Sequence, residues 1–374
     1  MTAPTLTQAG GSPRPRILTL AVTSLLLLLA AAMLLAPPAE AKVPRTFFGL
    51  SAVRPTADDF TRMGQIGAGS FRVEIPWPSV QASKGGPFAW AGADKRFRQA
   101  AAQGLQPVPI IFGAPEFVTG DSRNIRGPVK NRKQKRQWKK FAAAALERYG
   151  QGGSFWQQHP TLDPALAPRD WLIWNEQNAR AFWHPRVSPR KYAKLLRITR
   201  KAFDKVDPAA RMIVGGMYGF PDNRKSMPAK RFLKKLYRTR GAKRLIDGVS
   251  VHPYAPNLGG VKKQSKTARK IMNRAGDRRA ALWVGETGWA SAGPKKSFVV
   301  KNRKIQAKLL EKTYRFFLRK RRSWRVKTVF WFTWRDYGGA KICSWCPKAG
   351  LLNRKSKKKP AGRSYEALIA KKVG

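Results

Sequence analysis

From residue 46 onward, short apolar runs alternate with longer stretches of helical periodicity. The strand-like runs are 46–51, 70–77, 107–113, 171–178, 211–218, 246–254, 281–286 and 327–334. Runs of this length bounded by polar residues read as strands buried on both faces, the pattern of a parallel sheet. Helical segments are expected from Thr56, then near 93–103, 130–149, 189–206, 229–239, 261–275, 301–320 and 364–371. Tyr192, Leu195, Leu196, Thr199 and Phe203 fall on one face of the fourth, and Ile305, Leu309, Leu310, Tyr314, Phe317 and Leu318 on one face of the seventh. Eight strands each followed by a crossover predict a single α/β domain, a (β/α)8 barrel over 42–374. An open doubly wound sheet would carry a glycine-rich phosphate turn after its first strand, and Gly49-Leu-Ser-Ala supplies none.

Residues 1–41 read differently. Arg14 and Arg16 precede the apolar stretch Ile17–Ala36, and Ala39 and Ala41 offer a small-residue cleavage site. The segment is either a cleaved signal peptide or, given that it is long enough to span a bilayer, an uncleaved anchor. Both readings predict export of the barrel region, to the cell surface or beyond it. In an exported chain the spacing Cys343-Ser-Trp-Cys346 predicts a short loop disulfide.

Charge adds a question rather than an answer. With 75 Lys and Arg against 20 Asp and Glu, the formal net charge is +55. One reading is an anionic partner such as a cell-wall polymer or acidic polysaccharide; the other is a solvated basic surface. The cations are spread along the whole chain with no RNA-binding or helix-turn-helix signature, which argues against a dedicated nucleic-acid protein.

In so acid-poor a chain the carboxylates at strand ends stand out. Trp171-Leu-Ile-Trp-Asn-Glu ends in Asn175 and Glu176, and Ala281-Leu-Trp-Val-Gly-Glu ends in Glu286. Parallel α/β folds place their chemistry at the carboxyl ends of strands, and paired carboxylates are what glycoside hydrolysis requires. The other strand ends carry Arg72 and Glu74, His252 and Tyr254, and Trp331 and Trp334. His252 either orients the site or is a core histidine. By strand alternation Trp331 faces away from Phe330, Phe332 and Trp334, so either indole serves the sugar site or packs. Trp77, Trp183 and Trp289, in or near the loops of the same mouth, are further candidates for sugar stacking or for packing.

Phe71-Arg-Val73, Trp174-Asn-Glu-Gln-Asn178, Val251-His-Pro-Tyr254 and Gly285-Glu-Thr-Gly-Trp289 resemble, in the same order, motifs of the clan A retaining glycoside hydrolases, which include cellulases, mannanases, xylanases and β-xylosidases. The resemblance extends over 46–370 and implies Glu176 as general acid/base and Glu286 as nucleophile. Beside that pair, Arg72 is the expected cation for Glu286 (or an ion-pair partner of Glu74), Tyr254 the expected donor to Glu286 (or a packing residue), and Asn175 an amide for a sugar hydroxyl. With His252 and one of Trp331 and Trp334 they are the candidate substrate-binding residues, the partner being a carbohydrate and the mechanism needing no metal or cofactor. Gln177 departs from the clan, whose members often carry Pro there; the change touches the turn rather than the chemistry.

Overall fold

The structure, a computed structural model, describes residues 1–5, 42–221, 224–339 and 343–373. The expected export segment lies in 1–41 and so falls almost entirely outside them. Among the described residues no helix is long and apolar enough to cross a membrane. Residues Pro44–Gly374 form one compact unit.

Eight parallel strands close into a barrel in chain order, β1 Phe48–Ser51, β2 Ser70–Pro76, β3 Gln106–Phe112, β4 Asp170–Ile173, β5 Arg211–Tyr218, β6 Gly248–His252, β7 Ala281–Thr287 and β8 Val326–Phe332. Pairing of Gly49 with Phe330 and of Leu50 with Trp331 shuts the seam between β1 and β8. One principal helix follows each strand: α1 Ala57–Gln65, α2 Ala91–Ala101, α3 Arg132–Tyr149, α4 Pro189–Phe203, α5 Ala229–Tyr237, α6 Leu258–Arg274, α7 Arg303–Lys320 and α8 Pro360–Lys372. This is the (β/α)8 barrel. Helix starts follow local chemistry: Thr56 and Asp59 form a reciprocal capping box on α1, and Asn131, Ser188, Asn257 and Asn302 cap α3, α4, α6 and α7.

Inside the barrel, Val108, Ile110, Leu172, Ile213, Trp283 and Phe330 form a packed plug. Phe330 therefore faces in, and its ring occupies the space that a side chain at Gly49 would need. Trp331 faces the helices, where its indole lies beside Trp289. Above the plug the walls carry polar residues.

Two departures from simple alternation shape that mouth. The register of β7 against β8 breaks between Val284 and Thr287, and that of β5 against β6 between Val214 and Met217. A register break re-aims side chains that strict alternation would place on opposite faces. The first break lets Glu286 reach the lumen although its neighbour Gly285 already faces inward beside Ser250 and His252. The fourth strand is also shorter than its apolar run. It stops at Ile173 because Trp174 and Glu176 take left-handed backbone angles, φ 72° and 41°. Such conformations cost roughly 1–3 kcal/mol each in non-glycine residues and gather at functional sites. Here they are held by Trp174 N–H to Ile111 O (2.8 Å) and Glu176 N–H to Gly216 O (2.8 Å).

Candidate active site

Arg72 rises from β2 into the lumen, almost fully buried. Its Nη1 meets Glu286 Oε1 at 2.5 Å and donates to Gly285 O at 3.3 Å, while Nη2 meets Glu74 Oε1 at 3.0 Å. The Tyr254 hydroxyl donates to Glu286 Oε2 at 2.8 Å. On the opposite side His252, wholly buried, has Nδ1 at 2.7 Å from Glu176 Oε1 and 3.6 Å from Glu286 Oε2. One ligand-type atom from each of Glu176, His252 and Glu286 lies within 4.8 Å of the others. Thus β2, β4, β6 and β7 deliver their chemistry to one point.

Burial and neighbours push the two carboxylates apart. Burial raises Glu176 above the usual 4.5, and the Glu286 charge adds to that; the imidazole of His252 offsets only part. Burial alone would raise Glu286 as well. Arg72, His252 and the Tyr254 hydroxyl together outweigh it and hold Glu286 below 4.5. The Tyr254 hydroxyl is itself held well above its ordinary range, by burial and then by the Glu286 charge, so it stays a donor. One carboxyl is biased towards the acid and the other towards the anion, within a separation suited to direct attack.

Glu176, His252 and Glu286 are also metal-ligand types. A dication there would stand against the Arg72 guanidinium already bound to Glu286, so the donor set disfavours a resident metal.

No family model matches the sequence, and no curated protein matches it either. Solved structures do match. A family 39 glycoside hydrolase from the gut symbiont Bacteroides cellulosilyticus superposes with TM-score 0.62 at 19% identity, covering 88% of this chain and 64% of its own. A monomeric β-xylosidase from Caulobacter crescentus gives 0.63 at 15%, over 88% and 69%. A glucosidase from Croceicoccus marinus gives 0.64 at 14%, over 89% and 69%. The likeness is one of fold. This chain spans less than two thirds of the family 39 enzyme, so that protein's activity as a whole does not carry across.

The residues expected at the mouth divide in two. Arg72, Glu176, His252, Tyr254 and Glu286 converge. Asn175 stands beside Glu176, and its buried Oδ1 has no hydrogen-bond partner among the described residues. Trp331 and Trp334 do not join them. Both are buried, Trp331 donating to Ala349 O (3.1 Å) and Trp334 to Asp59 Oδ1 (2.9 Å), so each is spent on the barrel wall. Trp77, Trp183 and Trp289 are buried likewise, with Trp77 stacked on Phe141 and Trp289 donating to Ala255 O. Gln177 is buried too and donates to Gly215 O at 2.9 Å, which anchors the turn under β5.

The less deeply buried aromatics near Glu286 come instead from residues whose sequence context gives little sign of it. Trp345, half-buried, lies edge-on to the buried Tyr254 (5.0 Å between ring centres) and to the half-buried Phe332 (6.3 Å). Trp345 sits between Cys343 and Cys346, which form a disulfide. Tyr337 is half-buried as well; its hydroxyl is pushed up to about 12 by burial and by the charge of Glu286. Arg54, Arg335 and Arg354 join it around a pocket of about 280 Å³. Trp345→Ala is expected to raise KM about tenfold with little change in kcat, the loss of one aromatic face. An unchanged KM would remove Trp345 from the sugar site.

Two glycines make room for His252. A Cβ at Gly216 would overlap its Nε2, and one at Gly285 would lie 3.0 Å from that atom and overlap Ser250 Oγ. Gly216→Ala therefore displaces the imidazole and is expected to cut kcat/KM by roughly 100-fold, the scale of a 1 Å misplacement. A variant with a normal melting temperature and normal kcat/KM would show that His252 tolerates the shift.

The pH profile is set by the same shifts. In the double displacement that the sequence resemblance implies, Glu286 would act ionised, so turnover would be lost only as pH falls through its lowered value, below 4.5. Glu176 would act protonated in the same scheme, so turnover would be lost as pH rises through its raised value, above 4.5. The profile of kcat/KM is expected to be a bell whose limbs bracket 4.5. Arg72→Met removes the chief cation beside Glu286, so the acid limb moves up; an acid limb that stays put would mean Arg72 does not set it.

Proposed function

We propose that the chain is an exported retaining glycoside hydrolase that cleaves O-glycosidic bonds of a β-linked oligo- or polysaccharide. The observation that carries this is the carboxyl pair, within 4.8 Å of a shared imidazole and of each other, with Glu176 biased to hold a proton and Glu286 to lose one. Inverting enzymes separate their carboxyl groups by about 6.5–9.5 Å to admit a water between; a separation this short supports direct displacement.

In the first step Glu286 attacks the anomeric carbon while Glu176 gives its proton to the departing glycosidic oxygen. The carbon–oxygen bond to the leaving group breaks and an ester bond to Glu286 forms. Arg72 and Tyr254 hold the Glu286 oxygens in place for this attack. In the second step Glu176, now ionised, takes a proton from water as that water attacks the same carbon and frees Glu286. His252 Nδ1, 2.7 Å from Glu176 Oε1, orients that carboxyl. Asn175, next to Glu176, brings a side-chain amide that suits a sugar hydroxyl, a bond that strengthens in the transition state.

Export rests on the Arg14, Arg16 and Ile17–Ala36 segment. The β-linkage rests on the resemblance to the clan and on the β-xylosidase among the matching folds. The test is a release assay over β-linked glycans and aryl glycosides, with wild type beside Glu286→Gln and Glu176→Gln. Release that disappears in Glu286→Gln names the sugar. Binding without release in all three proteins would replace the enzyme with a glycan-binding barrel.

A further inference from the structure

A second cleft lies on the flank of the barrel, between α4 and α5 and the loops that precede them, with a volume of about 790 Å³. Of its sixteen lining residues ten are Lys or Arg, and none of these described residues is Asp or Glu. Across the whole chain Lys and Arg make up 75 of 374 residues, so the cleft is far more basic than the already basic average.

Its two walls have the same build. On α4, Arg190, Lys194 and Arg197 fall at i, i+4 and i+7, opposite the stripe of Tyr192, Leu195 and Leu196 that packs into the fold. On α5 and its C-terminal cap, Arg231, Lys235 and Arg238 repeat that spacing opposite Phe232, Leu233 and Leu236. Residues so spaced form one row along about 10 Å of helix, so two cationic rows face each other across the gap. Like charges in a concave, low-dielectric setting raise the local potential and concentrate counter-anions.

The floor of the cleft is tied to the catalytic loop. Asn178 Nδ2 donates to Met227 O (2.8 Å), Met227 N–H donates to Asn178 O (2.8 Å), and Arg180 N–H donates to Ser226 Oγ (2.8 Å). Asn178 is two residues beyond Glu176. No aromatic side chain lines the cleft, so it lacks the stacking faces that single-stranded nucleic acids use.

We propose that this cleft is a binding site, separate from the catalytic mouth, for a polyanionic polysaccharide bearing carboxylates along its length. The two cationic rows take successive carboxylates, and the shared loop keeps the bound polymer beside the mouth. Only the choice of a glycan over another polyanion rests on the glycosidase reading; the anion site itself does not need Glu176 or Glu286.

The test titrates polygalacturonate, and the same polymer fully methyl-esterified, against the full chain at low and moderate salt. One variant combines Arg190→Gln, Lys194→Gln, Arg231→Gln and Lys235→Gln, all exposed. A control combines Arg132→Gln, Lys133→Gln, Arg136→Gln and Lys140→Gln on the exposed side of α3, which lowers the net charge equally. Wild type is expected to bind the acidic polymer in a salt-sensitive way and the ester not at all. The cleft variant should bind about tenfold or more weakly, the sum of four modest surface pairs, and the control within twofold of wild type. Melting curves check that both variants fold.

Equal weakening in both variants would reduce the effect to diffuse charge and overturn the site. Equal binding of the ester would overturn the anion chemistry. Duplex DNA that binds through the cleft more tightly than polygalacturonate would overturn the glycan assignment. Glu286→Gln should bind the polymer as wild type does. Cleft-dependent binding without any glycosidase activity would therefore sink the catalytic reading alone, and glycosidase activity with no cleft-dependent binding would sink this site alone.

Discussion

Glu286→Gln is expected to lower turnover on every substrate by on the order of 10⁴-fold or more, because an amide cannot form the glycosyl ester through which both steps pass. The loss should be as complete for activated aryl glycosides as for natural linkages, since leaving-group quality does not supply a nucleophile. Gln keeps the size of Glu but leaves the buried Arg72 with Glu74 as its one remaining carboxylate. Removing one partner of a buried ion pair commonly costs several kcal/mol, so a lowered melting temperature is part of the same expectation. The assay is therefore run well below that temperature, where the variant is folded and glycan binding can be shown to persist. Residual activity within tenfold of wild type in folded protein would dismiss Glu286 as nucleophile.

Glu176→Gln has a different signature, which is what separates an acid/base from a nucleophile. For poor leaving groups the first step loses its proton donor, and kcat/KM should fall by roughly 10²–10⁴-fold. For a leaving group that departs as a stable phenolate the first step needs no proton, so kcat/KM is expected to stay within a few-fold of wild type. The second step still lacks its base, so the ester accumulates and kcat and KM fall together. Azide, a nucleophile that needs no deprotonation, should restore kcat on the activated substrate and yield the β-glycosyl azide. Equal losses on good and poor leaving groups, with no rescue, would take the acid/base role from Glu176. The magnitude also tests the environment: Glu176 is raised chiefly by burial, which a Gln does not disturb.

Much of this site was legible in the chain because strand ends are local features. Glu176 and Glu286 each terminate an apolar run, and Arg72, His252 and Tyr254 sit at the same level on other strands, so eight-fold repetition was enough to bring them together. What was not legible depends on neighbours distant in sequence. Nothing local to Gly216 shows that the His252 ring will fill the space above it. The register break after Val284 that turns Glu286 into the lumen arises from the fit of β7 against β8. Trp331 and Trp334 were candidates by their place at the end of the eighth strand, with packing as the alternative, and the loop at 349 and the α1 carboxylate of Asp59 claim their indoles. The less deeply buried aromatic face comes instead from Trp345, whose position between two cysteines showed a tethered loop but not that the loop reaches Tyr254. The positive charge took the same course: its amount was evident in the sequence, while its concentration between α4 and α5 required the two helices to be set side by side.

In the proposed mechanism Glu286 attacks the sugar directly and Glu176 supplies and then withdraws the proton. The stereochemistry of the first-formed product tests it without reliance on any variant. Proton NMR recorded within minutes of adding wild-type enzyme to a β-linked substrate, before mutarotation blurs the signal, reads the anomeric configuration. Two displacements at one carbon restore the starting configuration, so the β-anomer is expected first, with the α-anomer growing in slowly. An α-anomer at the earliest time would mean a single displacement by water and would contradict the assignment of Glu286 as nucleophile.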